Sequence, residues 1–314
     1  MVKRAFTLME VITTITILSL VSLAVLMSVD KIYKSYERSK TLTTLNLQKE
    51  LLSSQIEALL SSRVPASLIT YDPKNLKFAS IFSNKSYPIF EWISFEKEAL
   101  DEGDYSSFLD MKRCDISSLS LFSPDTNLTK VNERVKERFS KSGDLFSKDE
   151  IVLIFSGPFD DGGSPFDKDF KNFYGWHQSK EKKIIKIKNS SQTERFFIKN
   201  KPFEIFEKFY LCSSAYAIAL AKDIDKNEEC IKKLPVKIKE SDLLLFYDYR
   251  PWKKESFCAD PNSSSKAGKV TILSRNIKDF KIKTKYESIL FEATLFKKLK
   301  TKHQISLFTQ KVIF

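Results

Sequence analysis

The hydrophobic pattern of the chain begins with one unbroken apolar run. The nineteen residues from Val11 to Val29 contain no charge, no Gly and no Pro. At a helical rise of about 1.5 Å per residue, such a run can cross a hydrocarbon layer of about 30 Å, so it predicts a transmembrane helix. Lys3 and Arg4 precede it, and the positive-inside rule therefore places the first residues in the cytoplasm and the rest of the chain across the membrane.

A secretory signal peptide is the competing interpretation, because it also combines a basic start with an apolar run. Two features count against it. The run ends in Ser28, Val29 and Asp30 without a small-x-small cleavage pattern. A carboxylate, Glu10, also lies inside the apolar edge, where it costs roughly 3 kcal/mol unless it finds a partner.

After the apolar run, the pattern predicts that the helix continues to Pro65. Residues 30–64 contain no Gly or Pro, and apolar residues recur among them at spacings of seven, four and three, which is typical of one buried helix face. The apolar face comprises Leu45, Leu52, Ile56 and Leu59, and the polar face comprises Glu37, Lys40, Lys49, Glu50 and Glu57. The proline ring disfavours helical geometry at Val64, so the helix should end near Ser62, about 85 Å from a start at Phe6.

Past Pro65 the pattern changes from helical to extended. Residues 72–148 show no clear helical or strand pattern, except that a short helix is predicted near Asn127–Phe139. β-branched and aromatic runs separated by turns then predict strands at Ile151–Phe155, Ile184–Ile187, Arg195–Ile198, Phe209–Ala217, Leu243–Tyr249, Val270–Leu273, Phe280–Lys285, Ile289–Leu295 and Ile305–Phe314. Because strands do not alternate with helices, the sheet should be antiparallel. The predicted fold class is α+β: a long helix packed on an antiparallel β-sheet head, residues 65–314.

Composition supports a folded head but no nucleic-acid partner. With 42% hydrophobic and 13% aromatic residues, the chain can bury a core of one large domain or two small ones. The 52 Lys and Arg against 40 Asp and Glu give a net charge of +12, which would favour an anionic partner. The charge is dispersed, however, with KEKK at 180–183 and KKLK at 297–300 as its densest runs. A solvated surface is the preferred interpretation.

The residues before the apolar run read KRAFTLMEV from Lys3 to Val11. This run resembles the processing site of type IV pilin-like proteins, in which a prepilin peptidase cuts on the cytoplasmic side and the new N-terminus, usually Phe, becomes N-methylated. The resemblance implies a leader of residues 1–5, a cut between Ala5 and Phe6, N-methylation of Phe6 and a transmembrane segment over residues 6–29. The family usually has Gly before the cut, where this chain has Ala5.

The chemistry of Glu10 follows from such a cut. The free amine of Phe6 would be a cation at the helix start, and a carboxylate in hydrocarbon is strongly attracted to it. The amine of the same chain lies one turn away, and that of a neighbouring subunit is an equally good partner. Pairing between subunits would fix the axial stagger of packed helices, which makes Glu10 a predicted assembly contact. The alternative is a fortuitous acid in a single-pass anchor.

The last strands allow a narrower resemblance. The segments TILSRNIKDFKIKTKY, SILFEATLF and QISLFTQKVIF loosely resemble, in pattern and order, the C-terminal sheet of large minor pseudopilins, in particular the J-type subunit of type II secretion. The resemblance implies a structural minor subunit of the inner membrane with a periplasmic head. Its partners would be the prepilin peptidase and other pilin or pseudopilin subunits, and it would join or cap a type II secretion pseudopilus or a type IV pilus. The alternative is a binding module at a fibre tip, such as a DNA-uptake receptor or an adhesin.

Four cysteines lie past the membrane helix, where an oxidising compartment permits disulfides. They are Cys114, Cys212, Cys230 and Cys258. Four cysteines allow three complete pairings. Sequence proximity favours one bond within Cys212, Cys230 and Cys258, with Cys114 as the odd member. No close pair such as CxxC occurs, so a zinc site is not predicted.

Two acidic loops raise the question of calcium. The loop from Asp223 to Glu229 starts with alternate oxygen ligands, but Glu228 stands where an EF-hand loop needs Gly. The loop from Asp160 to Asp169 is a second oxygen-rich turn. Solvated turns are the preferred interpretation, so no cofactor or metal is predicted and calcium remains an alternative.

Enzymatic function finds no support in the motifs. The chain has no Gly-rich phosphate loop, no GxSxG and no HExxH. Its two histidines, His177 and His303, lie near no motif. A nucleophile could still be assembled from distant residues, because catalytic triads are defined by geometry and not by order. The sequence therefore predicts a protein that is not an enzyme.

Overall fold

A single long helix, α1, carries the rest of the molecule. The structure, a computed structural model, describes residues 7–83, 85–157, 168–190, 193–200, 202, 205–261, 263–285, 288–299 and 304–313. Helix α1 spans Leu8–Ser61, 54 residues without a break. Ser62 follows it as the C-cap and Val64 is extended ahead of Pro65, so the helix ends within a residue of its predicted end. The short helices are α2 (Lys97–Asp101), α3 (Leu128–Phe139) and α4 (Glu229–Lys232).

The head is built mainly from antiparallel strands. Along the chain they are β1 (Ile69–Asp72), β2 (Lys77–Ser80), β3 (Ile89–Phe95), β4 (Ser120–Phe122), β5 (Val152–Phe155), β6 (Ile185–Asn189), β7 (Arg195–Ile198), β8 (Phe209–Leu220), β9 (Leu243–Tyr249), β10 (Glu255–Ser256), β11 (Ser265–Lys266), β12 (Lys269–Ser274), β13 (Ile277–Lys285), β14 (Ser288–Lys298) and β15 (Gln304–Ile313). The main sheet has the order β2-β1-β3-β8-β5-β6-β7-β4, with β9 also beside β8 and β12 outside β9. Strands β10 and β11 form a short parallel pair.

Strand β8 is the centre of the main sheet. One of its edges pairs with β3. The other edge is shared, because Phe209–Cys212 pair with β5 and residues 215–220 pair with β9. Alternate side chains of a strand point to opposite faces, and both faces of β8 are buried almost throughout. The strand therefore joins two cores.

The outer half of α1 packs on one face of this sheet. Leu45, Leu52, Ile56 and Leu60 are buried in a core with Trp92 of β3 and with residues of β8, β9 and the three-stranded meander β13-β14-β15. Lys311 of β15 pairs with Glu57 of α1 at 2.6 Å. The structure thus confirms the predicted burial of Leu45, Leu52 and Ile56, whereas Leu59 is only partly buried and Leu60 is fully buried.

Two further cores complete the head. The opposite face of the sheet, with alternate residues of β3, β8 and β9, is covered by aromatic residues from the 3-10 turns at Lys168–Asn172, Trp176–Gln178 and Pro251–Lys253. Helix α3 and strands β4 to β7 enclose the third core. Other 3-10 turns lie at Pro65–Ser67 and Ala221–Asp223.

The coarse prediction of an α+β chain with a long helix and a large antiparallel sheet is confirmed. Each strand predicted from Ile151 onward has a counterpart whose described bounds lie within three residues of the prediction. The helix predicted at Asn127–Phe139 is α3, with Asn127 as its N-cap. Strands β1 to β4, between Ile69 and Phe122, were not predicted; three of these four strands are only three or four residues long.

Candidate functional site

The helix start holds Glu10 in a local hydrogen-bonding arrangement. Residues 1–6, which include the predicted cleavage and methylation positions Ala5 and Phe6, lie outside the described residues. Thr7 is the N-cap of α1. Its backbone N–H and its hydroxyl each donate to Oε2 of Glu10 at 2.9 Å, and the backbone N–H of Glu10 donates to the Thr7 hydroxyl at 3.4 Å. This reciprocal pattern is a capping box, which satisfies donors at the helix start.

The capping box is a partner of Glu10 that the sequence reasoning missed, although Thr-x-x-Glu before an apolar run is its signature. Both contacts of the carboxylate use Oε2. Among the described residues no donor reaches Oε1. One carboxylate oxygen is therefore engaged within the chain, and the other can accept a hydrogen bond from a second molecule.

The inner half of α1 has apolar side chains on all sides and no cover. Its large apolar residues are strongly exposed, from 42% at Val11 to 80% at Leu8. An apolar surface of this extent in a folded protein marks contact with a membrane or with another protein. By length and composition, α1 could span a membrane. In the residues that the structure describes, nothing buries this half of the helix.

Five of the six hydroxyl groups between Val11 and Val29 are satisfied by the helix itself. Each of the following side chains donates to a carbonyl one turn earlier, at 2.7–3.0 Å: Thr13, Thr14, Thr16, Ser19 and Ser28. Such bonds to preceding carbonyls are a common way for Ser and Thr to lie in a helix. An unsatisfied hydroxyl is costly in hydrocarbon, so this arrangement makes the segment compatible with a membrane interior.

The cysteines lie in three different environments. Cys230 of α4 and Cys258, which follows β10, form a disulfide. Cys212 is buried in β8 and Cys114 is partly buried, and both are free thiols. Burial raises the pKa of the Cys212 thiol well above its usual value, because the low-polarity surroundings disfavour a thiolate. The structure therefore pairs two of the three cysteines that sequence proximity grouped together.

The acidic loop at 223–229 is neutralised mainly by lysines. Glu228 pairs with Lys266, and Glu229 pairs with Lys233. An oxygen of Asp225 accepts the backbone N–H of Asn227. Within the described ranges, no three His, Cys, Asp or Glu side chains come together as a group that could hold a metal ion. In the second acidic loop, from Asp160 to Asp169, residues 160–167 lie outside those ranges.

A buried polar cluster surrounds His177, which no motif had indicated. The imidazole Nε2 lies 2.8 Å from Oε1 of Glu91, and Nδ1 lies 3.2 Å from Oδ2 of Asp260. The hydroxyl of Tyr249 donates to Glu91 at 2.7 Å, and that of Tyr71 donates to Asp260 at 2.8 Å. The ring of Tyr71 also stacks on the imidazole, with centroids 3.7 Å apart. The cluster joins β1, β3 and β9 to two connecting segments.

Electrostatics keep this histidine charged. Burial alone would lower the pKa of His177, but Glu91 and Asp260 outweigh it and raise the pKa to about 9. The side chains are 4% exposed at His177 and 1% exposed at both acids, so no substrate can reach them. The cluster therefore acts as a structural ion bridge in the head, even though a perturbed pKa often marks an active site.

The backbone at this cluster is unusual. His177 is in the left-handed region, with φ 46° and ψ 51°. Gly175, at φ 79°, lies so close to Pro251 that an added Cβ would be 2.6 Å from its carbonyl oxygen. Only glycine fits both the conformation and the approach. The segment is therefore held where it can place the imidazole between the two carboxylates.

Comparison of the chain with protein-family models, with curated proteins and with solved structures finds no match in any of the three. No relative therefore indicates what this chain does. Its distinctive features are the capped helix start at Thr7 and Glu10, the uncovered apolar half of α1 and the packed outer half.

Proposed function

We propose that this chain is a minor pilin-like subunit that is anchored in the inner membrane by the first half of α1 and assembles with similar subunits into a pseudopilus or pilus. The prepilin peptidase would remove residues 1–5, and Phe6 would become the N-methylated first residue. The role proposed is structural and not catalytic.

The single observation that carries the proposal is the division of α1 into two unlike halves. The first half, to Val29, is apolar on all sides and uncovered, whereas the second half is buried along one stripe under the head. A continuous helix joins them without a Gly or Pro where it could bend. A rigid stem of this kind can insert in a membrane and later pack against the stems of other subunits.

Glu10 would act as the assembly contact through the oxygen that the capping box leaves open. In hydrocarbon, a neighbour's terminal amine would lose hydration and seek a carboxylate. Because Thr7 already donates to Oε2, the free subunit can hold Glu10 in place before assembly. The amine of a neighbour would then approach Oε1, and the pairing would set the stagger between two stems.

The size of the head favours a position at or near a fibre end. Residues 65–314 make up most of the chain, and they form three cores, one of which packs on α1. A bulky head is easily accommodated at a tip, but it would collide with neighbours along a tightly packed helical lattice. We therefore place the subunit at the cap of the fibre.

Intact-mass analysis of the membrane-purified protein tests the proposal directly. The expected mature chain begins at Phe6 and carries one added methyl group, and a strain without the prepilin peptidase should retain residues 1–5. The variant Ala5→Gly should be processed at least as completely, because it restores the residue that pilin-like proteins usually have there. A chain that begins at Met1 in both strains, or one cut after residue 20, contradicts the proposal.

Glu10→Ala should reduce co-purification with other fibre subunits while leaving the head folded. Deleting one partner of a buried charge pair typically costs about 3–5 kcal/mol, which corresponds to about two to three and a half decades in an assembly equilibrium at about 1.4 kcal/mol per decade. Glu10→Gln is the matched control, since it keeps an oxygen for the cap but removes the charge. Equal co-purification of all three proteins would show that Glu10 is not an assembly contact.

A further inference from the structure

A pocket opens at the end of α1 that lies farthest from the apolar half. Its volume is about 580 Å³, within the range of roughly 300–1,000 Å³ that ligand pockets occupy. The lining includes two cations, Arg63 and Lys208, and three aromatic rings, Phe95, Phe108 and Tyr210. None of the features used for the proposed function lies in it.

The chain turn after α1 builds the cationic side of the pocket. The backbone N–H of Phe95 donates to the carbonyl of Ser62 at 2.8 Å, and that of Val64 donates to the carbonyl of Ile93 at 2.9 Å. These bonds align residues 62–64 against the end of β3. Arg63, the residue between them, is thereby fixed at the pocket wall. Opposite, Lys208 is held by a backbone bridge to Phe108.

Neither cation is neutralised by a carboxylate of the described residues. The Arg63 side chain donates through Nη1 to the carbonyl of Leu60 at 2.8 Å, but a guanidinium has five N–H donors. In the part of the chain that the structure describes, no carboxylate forms an ion pair with Arg63 or Lys208. Partial burial lowers the pKa of Arg63, because desolvation disfavours its charged form. A half-buried arginine and a nearby lysine without an acid create a site that favours an anion.

Three aromatic rings line the pocket beside the aliphatic residues Pro65 and Leu100 and the serines Ser61, Ser106 and Ser107. The rings of Phe95 and Tyr210 stack with centroids 5.0 Å apart, and the Lys208 ammonium lies 5.8 Å from the centre of the Tyr210 ring. Phe108 is 45% exposed. A small inorganic anion would leave these rings in water, whereas a ligand with an apolar group beside its charge would cover them.

We propose that this pocket binds an acidic segment of another polypeptide, with a carboxylate on Arg63 and Lys208 and an adjacent aromatic or aliphatic side chain against Phe95, Phe108 and Tyr210. Neighbouring residues of a peptide supply both groups, and arginine binds carboxylates through paired, charge-assisted hydrogen bonds. The inference does not depend on the pilin-like assignment, because it uses only the pocket.

Binding of two labelled pentapeptides to the full chain in detergent micelles tests the proposal by fluorescence anisotropy. The acidic probe has the sequence GEFEG and the neutral probe is GQFQG, each with an amidated C-terminus so that only the glutamates supply carboxylates. We expect the acidic probe to bind at micromolar to millimolar concentration and the neutral probe at least about tenfold more weakly, since hydrogen bonds to charged groups contribute roughly 1.5–3 kcal/mol. Arg63→Gln and Lys208→Gln should each weaken binding of the acidic probe by about tenfold.

Lys130→Gln is the charge-matched control, because Lys130 is exposed on α3 outside the pocket, and it should bind the acidic probe as the wild type does. Phe108→Ala should weaken both probes and leaves every charge in place. Thermal unfolding of each variant separates lost binding from lost folding, and Lys208→Gln, at an exposed residue, provides the test if Arg63→Gln does not fold.

Three results would overturn the proposal. They are no binding of either probe at millimolar concentration, equal binding of the acidic and neutral probes, and unchanged binding in both pocket-cation variants. Displacement of the acidic probe by acetate at equal concentration would also overturn it, because the site would then recognise a simple anion and not a peptide. All these outcomes are independent of whether the mature chain begins at Phe6.

Discussion

The two halves of α1 have the same secondary structure but face different surroundings. Before Val29, apolar residues occupy every side of the helix and remain exposed. After Lys40, only a stripe that includes Leu45, Leu52 and Ile56 is buried. The exposed side is mixed, with Asn46, Glu50 and Glu57 beside Leu47 and Leu51. A helix that is apolar all round requires a fully apolar environment, whereas an amphipathic one requires a single packing partner.

The difference shows that the two halves of one continuous helix can be stabilised by different partners. The outer half gains its stability from tertiary packing under the sheets, and the inner half must gain it from outside the chain, from lipid or from other stems. Mutations in the two halves should consequently affect different equilibria. The head should respond to changes in the outer half, and insertion or assembly should respond to changes in the inner half.

The largest effect is expected from a matched pair of isoleucine truncations. Ile56 is fully buried and Ile17 is 62% exposed. Ile56→Ala should destabilise the head by about 2–5 kcal/mol, through lost burial and the cavity left behind. Ile17→Ala should change head stability by less than about 0.5 kcal/mol. Urea unfolding in micelles, followed by fluorescence of the buried residues Trp92, Trp176 and Trp252, measures both.

Equal losses in the two variants would contradict the division of α1, since they would show that the inner half also stabilises the head. A loss of membrane insertion in Ile56→Ala with unchanged head stability would also contradict the division, since it would show that the outer half serves insertion and not the head.

The second effect, on the order of 3 kcal/mol, is a pH dependence confined to the head. Because the folded-state pKa of His177 is raised to about 9 from an ordinary value of 6.5, the folded head binds the proton more tightly than the unfolded chain. The stabilisation of the folded head by protonated His177 is fully present below pH 6.5 and is lost as the pH rises through 9. Urea unfolding at pH 6, 7.5 and 9 should show stability falling with pH.

His177→Gln is the control, since it removes the titrating group while keeping an amide that can donate to one of the two acids. The variant should be less stable at pH 6 and should show a flatter pH profile. A wild-type head whose stability is the same at pH 6 and 9 would show that the imidazole between Glu91 and Asp260 is not preferentially charged in the fold.

The smallest effect is expected at the start of the stem. Thr7→Ala removes the side chain that caps Glu10, which should cost about 1 kcal/mol in local helix stability. Amide hydrogen exchange at Glu10 and Val11 should then be about fivefold faster, while exchange at Ile56 should not change. Unaltered exchange at Glu10 would mean that the capping box is not formed in micelles.

The sequence by itself determined the elements whose signals are local. Helix α1 is specified by the absence of Gly and Pro up to Val64, by its apolar stripe and by the stop at Pro65. These signals are local because helix formation depends on residues three and four positions apart. The capping box was equally readable, as Thr7 and Glu10 are three residues apart. β-branched and aromatic runs likewise located nine of the eleven strands described from Ile151 onward, all but the two-residue strands β10 and β11.

Only the tertiary structure decided which distant residues meet. Glu91 and Asp260 reach His177 across 86 and 83 positions of sequence, and Arg63 shares a pocket with Lys208. The tertiary structure likewise determined that Cys258 pairs with Cys230, one of the disulfide pairings that sequence spacing left open. These contacts follow from the order of strands around β8, and pairing between distant strands depends on how whole faces pack, which no local pattern encodes.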